Sequence, residues 1–327
     1  MASLAKFAVV CFAILAAAAA AFADKSNIQV FALPEGTHPH DVAPAPDGAV
    51  WYTAQAAGAL GILDPRTGKS RQVPLGDGSA PHGVIAGPDG AAWITDGGLN
   101  AIVRFDPATQ TLTKFPLPAD ADAANLNTAA FDGKGRLWFT GQGGLYGRLD
   151  PGTGAMRVFK APRGSGPYGI TATPDGTVWY ASLAGSYIAR LDGESGAATV
   201  IDPPGKDDGP RRIWSDRLGN LWVSLWNAGA LARYTPATGQ WKTWPLPGKG
   251  ALAYAVYVDE RGVVWVSNFG ANAVLSFDPK SETFFAYPGS AADAEVRQIL
   301  GRPGEIWLPE SGLDRLMLIR TAPRTAG

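Results

Sequence analysis

The 327-residue chain has few of the residues that build covalent and thiolate sites: one cysteine, three methionines and three histidines. The cysteine, Cys11, lies in an apolar run near the N-terminus. A mature chain without that run has no thiol, which excludes a disulfide, a cysteine nucleophile and a thiolate metal site. Charged residues make up 17% of the chain and the formal net charge is −1, and no basic block indicates binding to nucleic acid or an anionic membrane.

The N-terminal segment has the three parts of a secretory signal peptide. A short start containing Lys6 is followed by an apolar run, and Ala21-Phe22-Ala23 forms an A-x-A cleavage site. We therefore expect a signal peptide over residues 1–23, a single domain over 24–327, and a periplasmic or secreted location. No second long apolar run follows, so we expect no membrane span after cleavage.

A tryptophan recurs about every 43 residues and marks an internal repeat. The repeated residues are Trp51, Trp93, Trp138, Trp179, Trp222, Trp265 and Trp307. Each unit reads as four short strands separated by Gly- and Pro-containing turns, such as Asp47-Gly48. The pattern predicts an all-β fold, a seven-bladed β-propeller of four-stranded blades whose tryptophans pack in the core. The last unit lacks a fourth strand, so we expect the N-terminal segment 27–34 to complete that blade and close the ring.

One position in each repeat varies among polar and amphipathic residues, whereas the structural positions repeat as Gly, Trp and Val. Aligned on the tryptophan, these seven residues, here called the first ring, are His40, His82, Asn127, Tyr168, Arg211, Tyr254 and Arg297. They fall at the start of the innermost strands, which border the axis of a propeller. A mixed set of polar side chains at this place is typical of a functional funnel and is not needed for packing.

Ring closure makes the seventh blade a neighbour of the first, so three adjacent blades should bring chemistry-bearing side chains to one sector of the mouth. The expected group is His38, His40, His82, Asp96, Glu295, Arg297 and Glu310. Imidazoles beside carboxylates can bind a divalent ion or supply a general base near neutral pH. The alternative interpretation is that these are solvated loop residues at the blade tops.

The repeated units resemble the virginiamycin B lyase (streptogramin B lyase) family over essentially the whole mature chain. The resemblance is carried by Pro39-His40-Asp41-Val42, Pro81-His82-Gly83-Val84 and Pro167-Tyr168-Gly169-Ile170, each followed by Pro-Asp-Gly and a tryptophan strand. It implies a lyase that opens the ester of a cyclic depsipeptide by elimination, with Mg²⁺ polarising the substrate and a histidine removing the proton α to the carbonyl.

The resemblance transfers unevenly to the late blades. Glu295 and Glu310 match the acidic positions that it implies, but Tyr254 and Arg297 stand where it implies histidines. We therefore expect any site to be rotated onto blades seven, one and two. The predicted catalytic residues are His82, as the best base, and His40. The predicted ligands of a divalent metal, Mg²⁺, are Asp96, Glu295, Glu310 and His38.

Two other functions stay open at this point. One is a non-catalytic periplasmic propeller that binds a ligand or protein at its mouth, and the other is a gluconolactonase-like, metal-dependent hydrolase. The expected partner is a small molecule or cyclic peptide in the central funnel, and the expected assembly is a monomer.

Overall fold

The computed structural model describes residues 21–22, 27–121 and 124–321. These residues form seven sheets, each with a core of four antiparallel strands. Within the described ranges the helical segments are two 3₁₀ turns, Phe269–Ala271 and Ser311–Leu313. The predicted seven-bladed, all-β propeller is confirmed. Among the described residues, no helix is both long and apolar enough to span a bilayer.

The first three blades follow the chain from their inner to their outer strand. Blade 1 contains β3 (Pro39–Pro44), β4 (Val50–Ala54), β5 (Ala59–Asp64) and β6 (Lys69–Pro74). Blade 2 contains β7 (Pro81–Ala86), β8 (Ala92–Asp96), β9 (Ala101–Asp106) and β10 (Thr111–Pro116). Blade 3 contains β11 (Leu126–Phe131), β12 (Leu137–Gly141), β13 (Leu145–Leu149) and β14 (Met156–Lys160).

The next three blades repeat this order. Blade 4 contains β15 (Pro167–Ala172), β16 (Val178–Ser182), β17 (Tyr187–Leu191) and β18 (Ala198–Ile201). Blade 5 contains β19 (Pro210–Ser215), β20 (Leu221–Leu225), β21 (Ala230–Thr235) and β22 (Gln240–Pro245). Blade 6 contains β23 (Ala253–Val258), β24 (Val264–Asn268), β25 (Ala273–Asp278) and β26 (Thr283–Pro288).

The seventh blade joins the two ends of the chain. It contains β27 (Leu300–Arg302), β28 (Glu305–Glu310), β29 (Arg315–Arg320) and, as its outer strand, β2 (Ile28–Ala32). Strand β2 runs antiparallel to β29, with Ile28 opposite Ile319 and Ala32 opposite Arg315. The predicted closure by the N-terminal strand is therefore confirmed, and it removes a free sheet edge at the seam.

The predicted signal peptide lies outside the described residues except for β1 (Ala21–Phe22), which pairs in parallel with β26.

The repeated tryptophans form a buried layer between the blades, as the sequence predicts: all seven are at most 4% exposed. A buried indole N–H needs an acceptor, because leaving a buried donor without one costs about 1–3 kcal/mol. In five blades an acidic side chain of the preceding hairpin accepts that bond. In blade 3, for example, Trp138 donates to Asp132 at 2.8 Å, and in blade 7 Trp307 donates to Glu305 at 2.8 Å. The hairpin turn and the core are thus fastened to each other within one repeat.

Candidate functional site

A β-bulge turns the first-ring residues toward the axis. In the inner strands of blades 1 to 6 the pairing register shifts at the first-ring position, for example between Pro39 and Val42 and between Pro210 and Ile213. A bulge places two consecutive residues opposite one partner and redirects their side chains. Both the first-ring residue and the residue after it can therefore reach the centre of the propeller.

A buried hydroxyl from the preceding blade fixes this bulge in position. Thr53 donates to the carbonyl oxygen of His82 at 2.9 Å and accepts the backbone N–H of Asp41 at 2.9 Å. Ser224 forms the equivalent bonds in blade 5, donating to the carbonyl of Tyr254 and accepting the N–H of Arg212. Each such hydroxyl ties the inner strand of its own blade to the next one, so the first-ring backbone is held on both sides.

The centre of the site is a hydrogen-bonded chain of His40, Asp41 and Arg212. The Nδ1 of His40 lies 2.9 Å from the Oδ1 of Asp41. The guanidinium of Arg212 comes from blade 5, on the other side of the axis, and donates to both oxygens of Asp41, at 2.8 and 3.3 Å. The carboxylate can only accept, so it places the proton of a neutral His40 on Nδ1 and leaves Nε2 as an acceptor.

Burial has the largest effect on the pKa values of His40 and Asp41. It is the largest cause of a low pKa for His40, well below the usual value, and the positive charge of Arg212 lowers that pKa further. Burial raises the pKa of Asp41, although Arg212 opposes the shift. At neutral pH the arrangement is a neutral imidazole oriented by a carboxylate, which is the form a general base needs.

The ring of His82 contacts that of His40, with 3.7 Å between the centroids and the two planes tilted by 43°. Its Nε2 lies 3.1 Å from the side-chain amide nitrogen of Asn127, and the amide oxygen of Asn127 accepts a bond from Thr128. Nε2 is therefore the acceptor and Nδ1 carries the proton, yet Nδ1 is buried without a hydrogen-bond partner. Burial, and then the neighbouring His40, hold the pKa of His82 well below its usual value.

The opposite wall of the mouth is aromatic and basic. The hydroxyls of Tyr168 and Tyr254 are hydrogen-bonded to each other, and Arg211 donates to the Tyr168 hydroxyl at 3.1 Å. Burial opposes ionisation of Tyr168, but Arg211, Arg212 and the bond from Tyr254 outweigh it and lower the pKa of this phenol. Burial raises the pKa of Tyr254, so this hydroxyl stays protonated. This contact joins blades 4 and 6 across the end of blade 5, so the two tyrosines narrow the funnel.

Below the histidines the axis is almost filled. A cavity of about 30 Å³ is lined by Asp41, Thr128, Arg212 and Gln298 together with apolar side chains. A water needs about 10–15 Å³ in such measures, so the space suits roughly two waters. Gln298 accepts the backbone N–H of Val42 at 3.0 Å, which ties blade 7 to blade 1 beneath the mouth. The side chains around this small cavity therefore leave little open space at this level of the axis.

Two of the predicted metal ligands serve the loops between blades. Asp96 accepts bonds from the Ser79 hydroxyl at 2.5 Å and from the backbone N–H groups of Ala80 and Leu99, both at 2.9 Å. Glu310 accepts the backbone N–H of Ser290 at 2.8 Å and the hydroxyl of the same residue. In blades 2 and 7 the acidic residue three positions after the tryptophan thus anchors a loop between blades.

The structure does not bring the remaining predicted ligands into one group. Glu295 pairs with Arg297, and the half-buried His38 is held by its backbone N–H, which donates to Asp314 at 2.6 Å. In the described parts of the chain, the one set of three His, Asp or Glu side chains with ligand atoms within 4.8 Å of one another is His40, Asp41 and His82. Of the seven side chains expected in one sector, two separate pairs are in contact: His40 with His82, and Glu295 with Arg297.

These donors do not fit Mg²⁺, which prefers several oxygen ligands in octahedral geometry. The trio offers two imidazoles and one carboxylate, and both oxygens of Asp41 already accept bonds from Arg212. The carboxylates of Glu295, Glu310 and Asp96 have partners of their own, as described above. The divalent ion expected from the sequence therefore stays a prediction.

Sequence analysis missed Asp41, Arg212 and Gln298. They follow the first-ring residues of blades 1, 5 and 7, and in a regular strand side chains alternate between faces. The clue was present, because the residue after the first ring is Asp, Gly, Thr, Gly, Arg, Ala and Gln around the propeller. Four of these, Asp41, Thr128, Arg212 and Gln298, are buried polar or charged side chains.

Comparison with known families agrees with this architecture. The sequence model of the virginiamycin B lyase family matches residues 8–190 and 69–326. The chain belongs to the virginiamycin B lyase family. A comparison with curated protein sequences gives no match. Family membership accounts for the repeat and the ring.

Three solved propellers show how far the fold is shared. Virginiamycin B lyase from Staphylococcus aureus superposes with a TM-score of 0.83 at 22% identity, covering 90% of this chain and 99% of that one. Its catalytically inactive variant with quinupristin gives the same values. YCF48 bound to D1 peptide gives a TM-score of 0.75 at 15% identity, covering 93% and 100% of the chains. At these identities the likeness is one of fold.

Proposed function

We propose that this member of the virginiamycin B lyase family is a lyase that opens an ester by elimination, with His40 as the base. The observation that carries the proposal is the hydrogen-bonded chain from His40 through Asp41 to Arg212 at the centre of the propeller. A carboxylate that holds the imidazole by Nδ1 leaves Nε2 as an acceptor aimed away from it. This is the arrangement that positions a histidine for proton removal in many enzymes.

The reaction balances without a co-reactant. Nε2 of His40 takes the proton from the carbon α to a carbonyl, and the C–H electron pair forms a carbon–carbon double bond to the β carbon. The bond between the β carbon and the ester oxygen breaks, and the ester leaves as a carboxylate. The protonated imidazole then releases its proton to solvent. No water is added, which separates this reaction from hydrolysis.

Two arginines at the mouth supply positive charge where negative charge develops. Arg211 and Arg297 are both first-ring residues, and both contribute to lowering the pKa of His40, after burial and Arg212. Fixed cations in a pocket of low dielectric stabilise an enolate or a departing carboxylate more strongly than they would in water. In this proposal the two arginines stabilise the negative charge that Mg²⁺ was expected to stabilise.

The hydrogen-bond partners of the two histidines favour His40 over His82 as the base in this proposal. His82 was the first choice from sequence, but its Nε2 accepts from Asn127 and no carboxylate orients it. His40 has the carboxylate partner. We therefore assign the base role to His40 and a supporting role to His82, which packs against the face of its ring.

Turnover of quinupristin and of a model β-acyloxy ester, followed by liquid chromatography and mass spectrometry, tests the proposal. Elimination gives a ring-opened isomer of quinupristin with unchanged mass, whereas a hydrolase gives a product heavier by one water. We expect H40Q to lower kcat by about 10²–10⁴-fold, the usual contribution of a general base. The variant H82Q should retain more activity than H40Q. If H82Q loses turnover and H40Q keeps it, the assignment of the base is wrong.

A non-catalytic, ligand-binding propeller is the second candidate. Tyr254 and Arg297 favour it, because neither can serve as a base at neutral pH in place of the histidines that the resemblance implies. Absence of any turnover of both esters, together with binding of either one at the mouth, would support this candidate and refute the lyase.

A further inference from the structure

Arg211 carries a positive charge in the mouth that no carboxylate neutralises. The other two arginines there are paired, Arg212 with Asp41 and Arg297 with Glu295. Arg211 forms no ion pair with any residue that the structure describes. Three guanidiniums therefore face two carboxylates, and because the histidines are neutral the mouth has a surplus of one positive charge.

Aromatic rings hold this guanidinium in place. Its central carbon lies 3.5 Å from the ring centroid of Tyr254, 4.3 Å from that of Trp226 and 4.7 Å from that of Tyr168. Cation–π contacts of this kind favour the charged form and fix its position, but they leave hydrogen-bonding capacity unused. The one hydrogen bond of its side chain goes to the Tyr168 hydroxyl, and Nε is buried without a partner.

The same wall offers a flat apolar surface next to the charge. Trp226 and Phe269 are half-buried and lie 5.7 Å apart by ring centroids, and each also contacts Tyr254. The guanidinium of Arg297 lies 5.5 Å from the centroid of Phe269. Half-exposed aromatic rings beside a fixed cation are suited to a ligand that has both a flat group and a negative charge.

We infer that Arg211 is the centre of a binding site for a small carboxylate with a flat, aromatic or conjugated group. The carboxylate takes the free N–H groups of the guanidinium in a charge-assisted bond, and the flat group packs on Trp226 and Phe269. His82 supplies a further donor that lacks a partner, because its buried Nδ1–H is unsatisfied and its ring lies 6.0 Å from that of Tyr168.

This site deepens the proposed elimination, and that link rests on the proposed function. The leaving group of the reaction is a carboxylate, so Arg211 would hold the group that is expelled. The anion site itself does not depend on catalysis. Its occupant can be tested with a simple acid that undergoes no reaction.

Benzoate and its neutral isostere benzamide are the probes. Both are titrated into the full-length protein at low salt, with binding followed by calorimetry and by ligand-observed NMR. We expect benzoate to bind at least about tenfold more tightly than benzamide, and R211Q to lower the benzoate affinity by about tenfold or more. Added salt should weaken benzoate binding and leave benzamide binding unchanged.

Arg233 offers a matched control in the same blade. It lies over Trp222 and Trp244, at 5.7 and 5.9 Å, and its Nε also lacks a partner, but it belongs to β21 and not to the first ring. R233Q should therefore bind benzoate as the wild type does. R211K keeps the positive charge and shows whether the fold accepts a substitution at this position. Circular dichroism checks that every variant is folded.

The outcomes separate this inference from the proposed function. Benzoate binding no tighter than benzamide, no detectable benzoate binding, or equal affinity in R211Q and wild type would each overturn the site. Benzoate binding that depends on Arg211 in a protein without turnover would refute the lyase and leave the anion site standing.

Discussion

Replacing Arg212 with methionine should destabilise the propeller strongly, because it isolates a buried charge. The side chains of Arg212 and Asp41 are 6% and 1% exposed, and two hydrogen bonds join them across the axis. Breaking one partner out of a buried pair costs about 3–5 kcal/mol, since the remaining charge has neither water nor a counter-ion. We expect the free energy of unfolding of R212M to fall by this amount at pH 7.

Removing both charges should restore most of the loss. The double variant R212M/D41N has no buried ion and keeps an acceptor beside His40, and a neutral replacement of such a pair is often close to neutral in stability. Its free energy of unfolding should therefore exceed that of R212M. A surface pair is the control: R66M removes the exposed partner of Asp64 and should leave unfolding unchanged within error.

The pH dependence gives the sharper test. Burial already raises the pKa of Asp41, and Arg212 opposes that rise. Without Arg212 the pKa of Asp41 rises further, so acid protonates the carboxyl and relieves the penalty. Urea unfolding followed by tryptophan fluorescence should show that the deficit of R212M shrinks as pH falls. A deficit below about 1 kcal/mol, or one that is constant with pH, would refute the account of a buried, coupled pair.

Four further outcomes follow from the same geometry. Burial and then Arg212 lower the pKa of His40, so kcat/KM for ester opening should stay level as pH falls through 6.5 and decline only below it. A decline of kcat/KM that begins at or above pH 6.5 would contradict the assignment of His40 as the base. The lowered pKa values of His40 and His82 contribute stability that is complete above pH 6.5 and is lost below it, by up to about 1.4 kcal/mol per pH unit for each histidine, and H40Q/H82Q should flatten the pH–unfolding curve. D96A should lower the free energy of unfolding by about 1–3 kcal/mol in urea titrations, because two partly buried backbone N–H groups lose their acceptor. Titration calorimetry with Mg²⁺ should show no site, and turnover should survive a chelator; a stoichiometric site that is lost in D96A or E310Q would restore the metal-assisted reading.

The sequence was enough to predict the blade architecture because each blade is specified by residues that lie close together in the sequence. Each repeat carries its own strands, turns and tryptophan, and the acidic residue that bonds the indole lies within a few positions of it, as Asp132 does for Trp138. The closing strand could also be predicted from the sequence, because segment 27–34 resembles the fourth strands of other repeats and the last repeat has no fourth strand of its own. The first-ring position could be located by counting from the tryptophan.

The arrangement within the mouth could not be read in the same way. The bulge at Pro39–Val42 brings Asp41 to the axis beside His40. The residue types in this segment do not predict that shift of register. The partner of Asp41 is Arg212, 171 positions away and four blades further along, so their contact depends on the diameter of the ring. Asp96 and Glu310 show a role that residue type does not reveal: their acidic type suggested a metal, and in the structure their carboxylates accept backbone N–H groups of the connecting loops.

Ring closure by β2 has a consequence for how the chain acquires its structure. The inner hairpins pair residues close together in sequence and can form as soon as each is synthesised, whereas Ile28 must wait for Ile319 to leave the ribosome. Until then the outermost edge of the seventh sheet stays open, and the earliest-made strand is the last to find its neighbour. A fragment truncated before Arg315 would have no place to dock β2, so we expect it to accumulate as an aggregation-prone arc instead of a smaller closed ring.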